Sequence, residues 1–125
     1  MDQIEIPCPP LIFIPTTAGT SADISQFAII TDTARKVKFA IISKAVVPDL
    51  ALVDPIPTTT MSADLTAATG IDALVHAFEA YVSSANSPVT DLHALEAIRL
   101  VKRNLKSAIE HRLDLGFRSP MMLVW

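Results

Sequence analysis

The sequence contains one cysteine, Cys8, so no disulfide can close within the chain and a reducing, cytoplasmic setting is the expectation. Charge is equally sparse. Only 18% of residues are Asp, Glu, Lys or Arg, and ten bases against thirteen acids leave a net charge of -3. That balance argues against nucleic acid or an anionic membrane surface as a partner. The bases are dispersed apart from Arg99, Lys102, Arg103 and Lys106, which read as one solvated helix face. No run approaches the roughly 18 apolar residues of a membrane span. The opening Met1-Asp2-Gln3-Ile4-Glu5 also lacks the basic and apolar regions of a signal peptide. What the chain has in quantity is hydrophobic side chain, 50% of its 125 residues. In a chain of this length that proportion implies faces covered by further polypeptide or another subunit, and self-association is expected.

Residues 7–55 read as strands and turns. Leu11-Ile12-Phe13-Ile14, a continuous apolar run between prolines, predicts a strand buried on both faces. It ends at Pro15 and leads into Thr16-Thr17-Ala18-Gly19-Thr20-Ser21, a hydroxyl-rich turn in which Gly19 is free to take a positive φ. Such a turn after a buried strand can present N–H and hydroxyl donors to a phosphate; an ordinary Thr/Ser loop is the alternative. Residues 27–31 and 37–42 are β-prone runs around residues 32–36 and predict a hairpin. Lys38, inside the second run, either lines a pocket or points to water from the strand's polar face. Pro48-Asp49 introduces the short run 50–53, which Asp54-Pro55-Ile56-Pro57 breaks.

From residue 56 the pattern turns helical. Ser62-Ala63-Asp64-Leu65 predicts a short helix, N-capped by Ser62 and stopped by Gly70. A second helix is predicted over 72–83. Its apolar residues Ile71, Leu74, Val75, Phe78 and Val82 recur at three- and four-residue steps, the signature of a buried stripe. Asp72, His76, Glu79 and Ser83 form a second line beside it. Residues four apart stand one above the other, so Asp72 and His76 can direct a carboxylate oxygen and an imidazole nitrogen at one point. That is half of the about four ligands a divalent metal takes, and a metal would compensate an Asp and a His buried beside Leu74 and Phe78. The alternative makes Asp72 a first-turn carboxylate after Gly70 and His76 an ordinary helix residue. Ser87, with Pro88 at the first helical position, begins a long helix to about His111. Leu92, Leu95, Ile98, Val101 or Lys102, Leu105 and Ile109 are its expected buried line, with His93 and His111 on the surface. Asp114-Leu115-Gly116 is expected to turn the chain. Ser119-Pro120 then starts a last helix, cut off after about one turn.

Taken in order, five stretches resemble the middle of an iron-containing (group III) alcohol dehydrogenase. They are Ile14-Pro15-Thr16-Thr17-Ala18-Gly19-Thr20, Ile30-Thr31-Asp32, Lys38, Asp54-Pro55, and Thr66-Ala67-Ala68-Thr69-Gly70-Ile71-Asp72-Ala73-Leu74-Val75-His76-Ala77-Phe78-Glu79-Ala80-Tyr81. The resemblance runs along nearly the whole chain, and the helix motif with its Thr-Gly-x-Asp lead-in is its most specific part. It implies an α/β fold, a fragment of the two-domain dehydroquinate-synthase-like architecture. Residues 1–56 would be the C-terminal part of an NAD(P)-binding α/β domain, and 57–125 the start of an all-helical metal-binding domain. It further implies Asp72 and His76 as the first two ligands of Fe(II), or of Zn(II). The metal would act as a Lewis acid on a small alcohol or aldehyde while NAD or NADP exchanges hydride. Thr16, Thr17 and Thr20 are implied as contacts to the cofactor's pyrophosphate and nicotinamide ribose, Ser25 and Phe27 as passing its nicotinamide half, and Lys38 as meeting it.

The sequence departs from that pattern in three places. Gly19-Thr20-Ser21-Ala22-Asp23 stands where Gly-Thr-Gly-Ser-Glu is usual, keeping an acid at its end. A Gly-Gly-Gly-Ser phosphate loop and two later histidines of the pattern do not occur in this sequence. The chain is therefore expected to be a truncated piece that is inactive alone. The competing expectation is a non-catalytic helical remnant with weak metal binding or self-association.

Overall fold

A computed structural model of the chain describes Ile4 and residues 9–124. Cys8, the residues around Ile4 and Trp125 lie outside the described residues, and with them the expectations placed on Cys8 and on the chain's opening. The architecture is mixed α/β, strands first and helices after, as the resemblance implies. It divides into two compact units. One comprises the segment ending at Ile14 with Ser21–Leu52; the other comprises Pro15–Thr20 and the chain from Val53 onward.

The first unit holds β1 (Ile12–Phe13), β2 (Phe27–Asp32), β3 (Val37–Ile42) and β4 (Leu50–Ala51). β2 and β3 form the expected antiparallel hairpin, in register from Phe27↔Ile42 to Asp32↔Val37. Its turn is local chemistry: Asp32 Oδ1 accepts from the N–H groups of Ala34 and Arg35, both at 2.9 Å. Lys36, at φ 55°, closes the turn. β1 pairs with β4 in parallel over two residues. Here the expectation of a strand buried on both faces fails, since Ile12 is 61% and Ile14 54% exposed. An apolar strand is covered on both faces only by neighbouring layers, and the described residues give β1 a single two-residue partner.

The second unit is built on α1 (Ala63–Val82), α2 (Pro88–Glu110) and α3 (Leu115–Met121). Ser62 caps α1 as expected, its Oγ accepting from Leu65 N–H at 3.1 Å. Gly70 does not stop that helix. It lies inside α1 with a negative φ, buried where a Cβ would overlap the δ-methyls of Leu105. Its role is close approach. The expected buried stripe is also displaced: Ile71, Val75, Phe78 and Val82 are all exposed, and the residues α1 buries are Thr66, Gly70, Ala73 and Ala77. α2 answers with Ala94, Ala97, Val101 and Ala108, while Leu92 and Leu95 of its expected line lie open. Small residues at the contact let two helix backbones come close, which leaves bulky neighbours flanking the seam instead of filling it.

Ser87 caps α2 with Pro88 at its first position, as the sequence predicts, and Thr90 completes a reciprocal capping box with it. α3 begins earlier than expected. Asp114 Oδ1 accepts from Gly116 N–H at 2.8 Å and sets the helix start at Leu115, so Pro120 falls inside the helix. Met121, Met122 and Val124 join Ala18, Ala73, Ala77, Ala97, Val101 and Ala108 in one apolar cluster.

Arg118 ties this unit together and was not singled out by sequence. It is 2% exposed. Its Nε donates to the carbonyl of Arg112 at 2.9 Å, and its Nη1 donates to Thr66 Oγ1 at 2.9 Å. α2 carries no base in its last turn, so this guanidinium supplies positive charge just past the negative end of that helix. Burial lowers its pKa from the ordinary value, with the charge of Arg112 a second contribution. Nη2 has no hydrogen-bond partner among the described residues. Arg118→Ala is expected to remove two charge-assisted hydrogen bonds and leave a void, lowering stability by about 3 kcal/mol in urea denaturation. Arg118→Met fills the volume without an unpartnered N–H and is expected to cost about half as much.

Candidate functional site

α1 carries Asp72 and His76 in its middle, well past its start at Ala63, which removes the reading of Asp72 as a first-turn carboxylate. The two side chains converge: Asp72 Oδ1 lies 3.7 Å from His76 Nε2. They are not buried, however. Their side chains are 42% and 57% exposed, so no desolvation requires a metal to compensate it, contrary to the expectation from sequence. What the geometry offers is one oxygen and one nitrogen donor aimed at a common point in water. That donor set fits a divalent first-row ion as half of a coordination sphere. Glu79 and Ser83 do not extend it, and among the described residues no group of three His, Cys, Asp or Glu side chains is placed to hold a metal.

The threonine turn belongs to the same unit as α1. Ala18, 6% exposed, packs in the cluster that includes Ala73 and Ala77. Gly19 meets Thr69 so closely that a Cβ would sit 3.0 Å from Thr69 Cβ and 3.3 Å from its carbonyl oxygen. Thr69, Asp72 and His76 follow at i, i+3 and i+7, one line on the helix. The turn is therefore anchored at the head of the line that carries the two donors. Thr16 and Thr20 remain exposed and Thr17 half-buried, which leaves hydroxyl donors open on an anchored backbone.

The positive φ expected at Gly19 is found two residues later, at Ser21, with φ 52°. Ser21 stands where the resembling pattern has glycine, so a left-handed backbone conformation is held here by a residue with a Cβ. Its carbonyl accepts from Ile24 N–H at 3.1 Å. Ser25 Oγ accepts from Phe27 N–H at 3.1 Å and fixes the approach to β2. On the hairpin, Phe27 pairs with Ile42 and Lys38 with Thr31. Strand alternation puts Phe27 and Lys38 on one face but four rungs apart, about 13 Å. The structure thus keeps Lys38, which is exposed, at the far end of the hairpin from Ser25 and Phe27. His93 and His111 are exposed, as expected, His111 standing 6.1 Å from the ring of Phe117.

Residues 2–55 match the model of a family described as iron-containing alcohol dehydrogenase, and residues 66–124 match that of the Fe-containing alcohol dehydrogenase family, C-terminal. The 1,3-propanediol dehydrogenase of Citrobacter freundii is 44% identical over 121 residues, 97% of this chain and 31% of its own length. A crystal structure of 1,3-propanediol oxidoreductase superposes with a TM-score of 0.93 at 41% identity, over 98% of this chain and 32% of that one. Sulfoacetaldehyde reductase from Bifidobacterium kashiwanohense, solved in complex with NAD+, superposes with a TM-score of 0.88 at 29% identity, over 98% of this chain and 35% of that one. The chain spans about a third of the length of these relatives.

Because Asp72 and His76 are half-exposed and make only a long surface contact, the fold gains little from either. Asp72→Ala and His76→Ala are each expected to change the urea midpoint by the equivalent of no more than about 0.5 kcal/mol. A large loss of stability would mark the pair as structural.

Proposed function

This chain belongs to the iron-containing alcohol dehydrogenase family, and from that membership we propose that it contributes the metal and cofactor side of an NAD(P)-dependent oxidation of a small alcohol to its aldehyde in the cytoplasm. The observation that carries the proposal is the anchoring of the threonine turn on Thr69, three residues ahead of an Asp72–His76 pair whose donors lie 3.7 Å apart. Thr16, Thr17, Thr20, Ser25, Phe27 and Lys38 are assigned to the cofactor, and Asp72 and His76 to the metal. Relatives acting on 1,3-propanediol favour a short primary alcohol or diol as substrate. Fe(II) is the proposed ion, with Zn(II) the alternative, and NAD the proposed cofactor, with NADP the alternative.

When bound, the ion supplies Lewis-acid polarisation of the alcohol oxygen and the nicotinamide supplies a hydride acceptor. The protein's part follows from its own atoms. Asp72 offers a full negative charge to a divalent cation, and His76 offers its Nε2 lone pair, which requires a neutral imidazole. Thr16, Thr17 and Thr20 offer hydroxyl and N–H donors to pyrophosphate oxygens on a turn whose backbone is already fixed by Ala18 and Gly19. Ser25 sets the entry into β2 so that Phe27 presents an exposed ring beside the nicotinamide half. Lys38 adds a cation for the cofactor's phosphates from the same face of the hairpin.

A second reading is favoured by one observation: only two donors converge among the described residues. On it the chain is a helical module that binds metal weakly and associates through its open apolar faces, without turnover. Calorimetric titration with Zn(II), and with Fe(II) under anaerobic conditions, tests both readings. One weak site is expected, and Asp72→Ala or His76→Ala should weaken it by more than the roughly 10- to 100-fold that loss of an outer-shell partner costs. Equal affinity in all three proteins would refute metal binding at this pair. NAD-linked oxidation of 1,3-propanediol by the 125-residue chain itself would refute the second reading.

A further inference from the structure

Asn86 precedes Ser87 in the loop between α1 and α2, and Asn86 is exposed while Ser87 is extended, at φ -146° and ψ 162°. An asparagine followed by a small residue outside a helix is prone to deamidation, because the next backbone nitrogen can reach its side-chain amide carbon. Here both nitrogens of that reaction are engaged. The attacking one, Ser87 N, donates its hydrogen to Thr90 Oγ1 at 2.7 Å. The Thr90 hydroxyl donates its own proton to the Ser87 carbonyl at 2.9 Å, so that a lone pair is left for the Ser87 N–H. The leaving one, Asn86 Nδ2, donates to Asp91 Oδ1 at 3.1 Å and Oδ2 at 3.3 Å, and to the carbonyl of Tyr81 at 3.4 Å. The first turn of α2 and the last turn of α1 thus hold the reacting groups from both sides. Asn104, the other asparagine, lies inside α2 ahead of the bulky Leu105 and donates to the carbonyl of Leu100 at 2.8 Å.

We propose that Asn86 is a deamidation site which Thr90 and Asp91 hold closed, and which reacts when the start of α2 frays. Fraying breaks the Ser87–Thr90 bond and exposes the Ser87 nitrogen to base. That nitrogen attacks Asn86 Cγ. The N–Cγ bond forms, the Cγ–Nδ2 bond breaks, and Nδ2 takes up the displaced proton and leaves as ammonia. Water then adds to either carbonyl of the succinimide and opens it to aspartate or isoaspartate, with no change of oxidation state. The product cannot rebuild the lock. A donor to Asp91 has become a second carboxylate facing it, and like charges at that distance repel. Isoaspartate also lengthens the backbone by one carbon immediately before the Ser87 cap, which displaces the Ser87–Thr90 pairing. The capping box therefore has a chemical role beside its structural one: it protects the only loop that joins α1 to α2 from an irreversible change.

Incubation of the 125-residue chain in mildly alkaline buffer, followed by peptide mapping by mass spectrometry, tests this, with circular dichroism as the check on folding. Asn86 is expected to convert roughly tenfold or more slowly in the folded chain than in urea, as two engaged hydrogen-bonding groups imply. Thr90→Ala, which removes the acceptor of the Ser87 N–H, should speed conversion in the folded chain by about fivefold, and Thr90→Ser, which keeps the hydroxyl, should restore the original rate. Asp91→Ala leaves the capping box intact and releases the carboxamide, and a rise of about threefold is expected. Equal rates for the wild-type chain folded and in urea would overturn the proposal without reference to any variant. A folded Thr90→Ala chain that converts at the wild-type rate, or a Thr90→Ser chain as fast as Thr90→Ala, would refute the hydroxyl as the guard. An unchanged rate in folded Asp91→Ala would refute the part assigned to Asp91.

Discussion

The close approach of α1 and α2 along Gly70, Ala73 and Ala77 on one side and Ala97, Val101 and Ala108 on the other is the constraint on which the rest of the helical unit depends. At 100° per residue, α1 divides into three lines about 120° apart. The first is this small-residue seam. The second is the bulky stripe through Ile71, Leu74, Val75, Phe78 and Val82, and the third is the line of Thr69, Asp72 and His76. Fixing the first fixes the other two. Burying the stripe instead would rotate the helix by a third of a turn, carry the donors away from the Gly19 turn and set the large side chains where only alanine fits.

What the sequence discloses is what is decided within a few residues. The caps at Ser62 and Ser87, the proline that opens α2, and the hairpin around Asp32 each close through bonds spanning two to four positions, so residue types in order suffice to read them. The i, i+4 placement of Asp72 and His76 belongs to the same class. The buried stripe does not. Ranking residues by hydrophobicity selects Phe78 over Ala77, yet which one is buried depends on how near α2 comes, and that distance is set by residues some twenty positions later. Gly70 misleads for the same reason: a glycine serves a helix end or a close contact, and only the presence of Leu105 distinguishes them. Arg118 was invisible because its partner Thr66 lies 52 residues away.

The site divides in the same way. Its two donors were legible, and its setting was not. Contact between Gly19 and Thr69 joins residues 50 apart, and it turns a small-residue loop of ordinary composition into one anchored beside the donor line. The left-handed conformation at Ser21 is likewise held by its surroundings and not by its residue type, since serine gains nothing from it. Lys38 illustrates the converse. Its strand and face follow from alternation alone, but its distance from Phe27 depends on the register, which the turn at residues 32–36 fixes.

Exposure of the Asp72–His76 pair bears directly on what it is for. A carboxylate and an imidazole buried among leucines would have to be satisfied by the fold itself, and their geometry would then answer to stability first. Here the packing of alanines holds the helix, and the pair stands in water, making one long contact and bearing no structural demand. Its orientation follows from the alanine packing on another face of α1. That division of labour, with packing on one face and the converging pair on another, brings a carboxylate and an imidazole together without the desolvation cost of burying them.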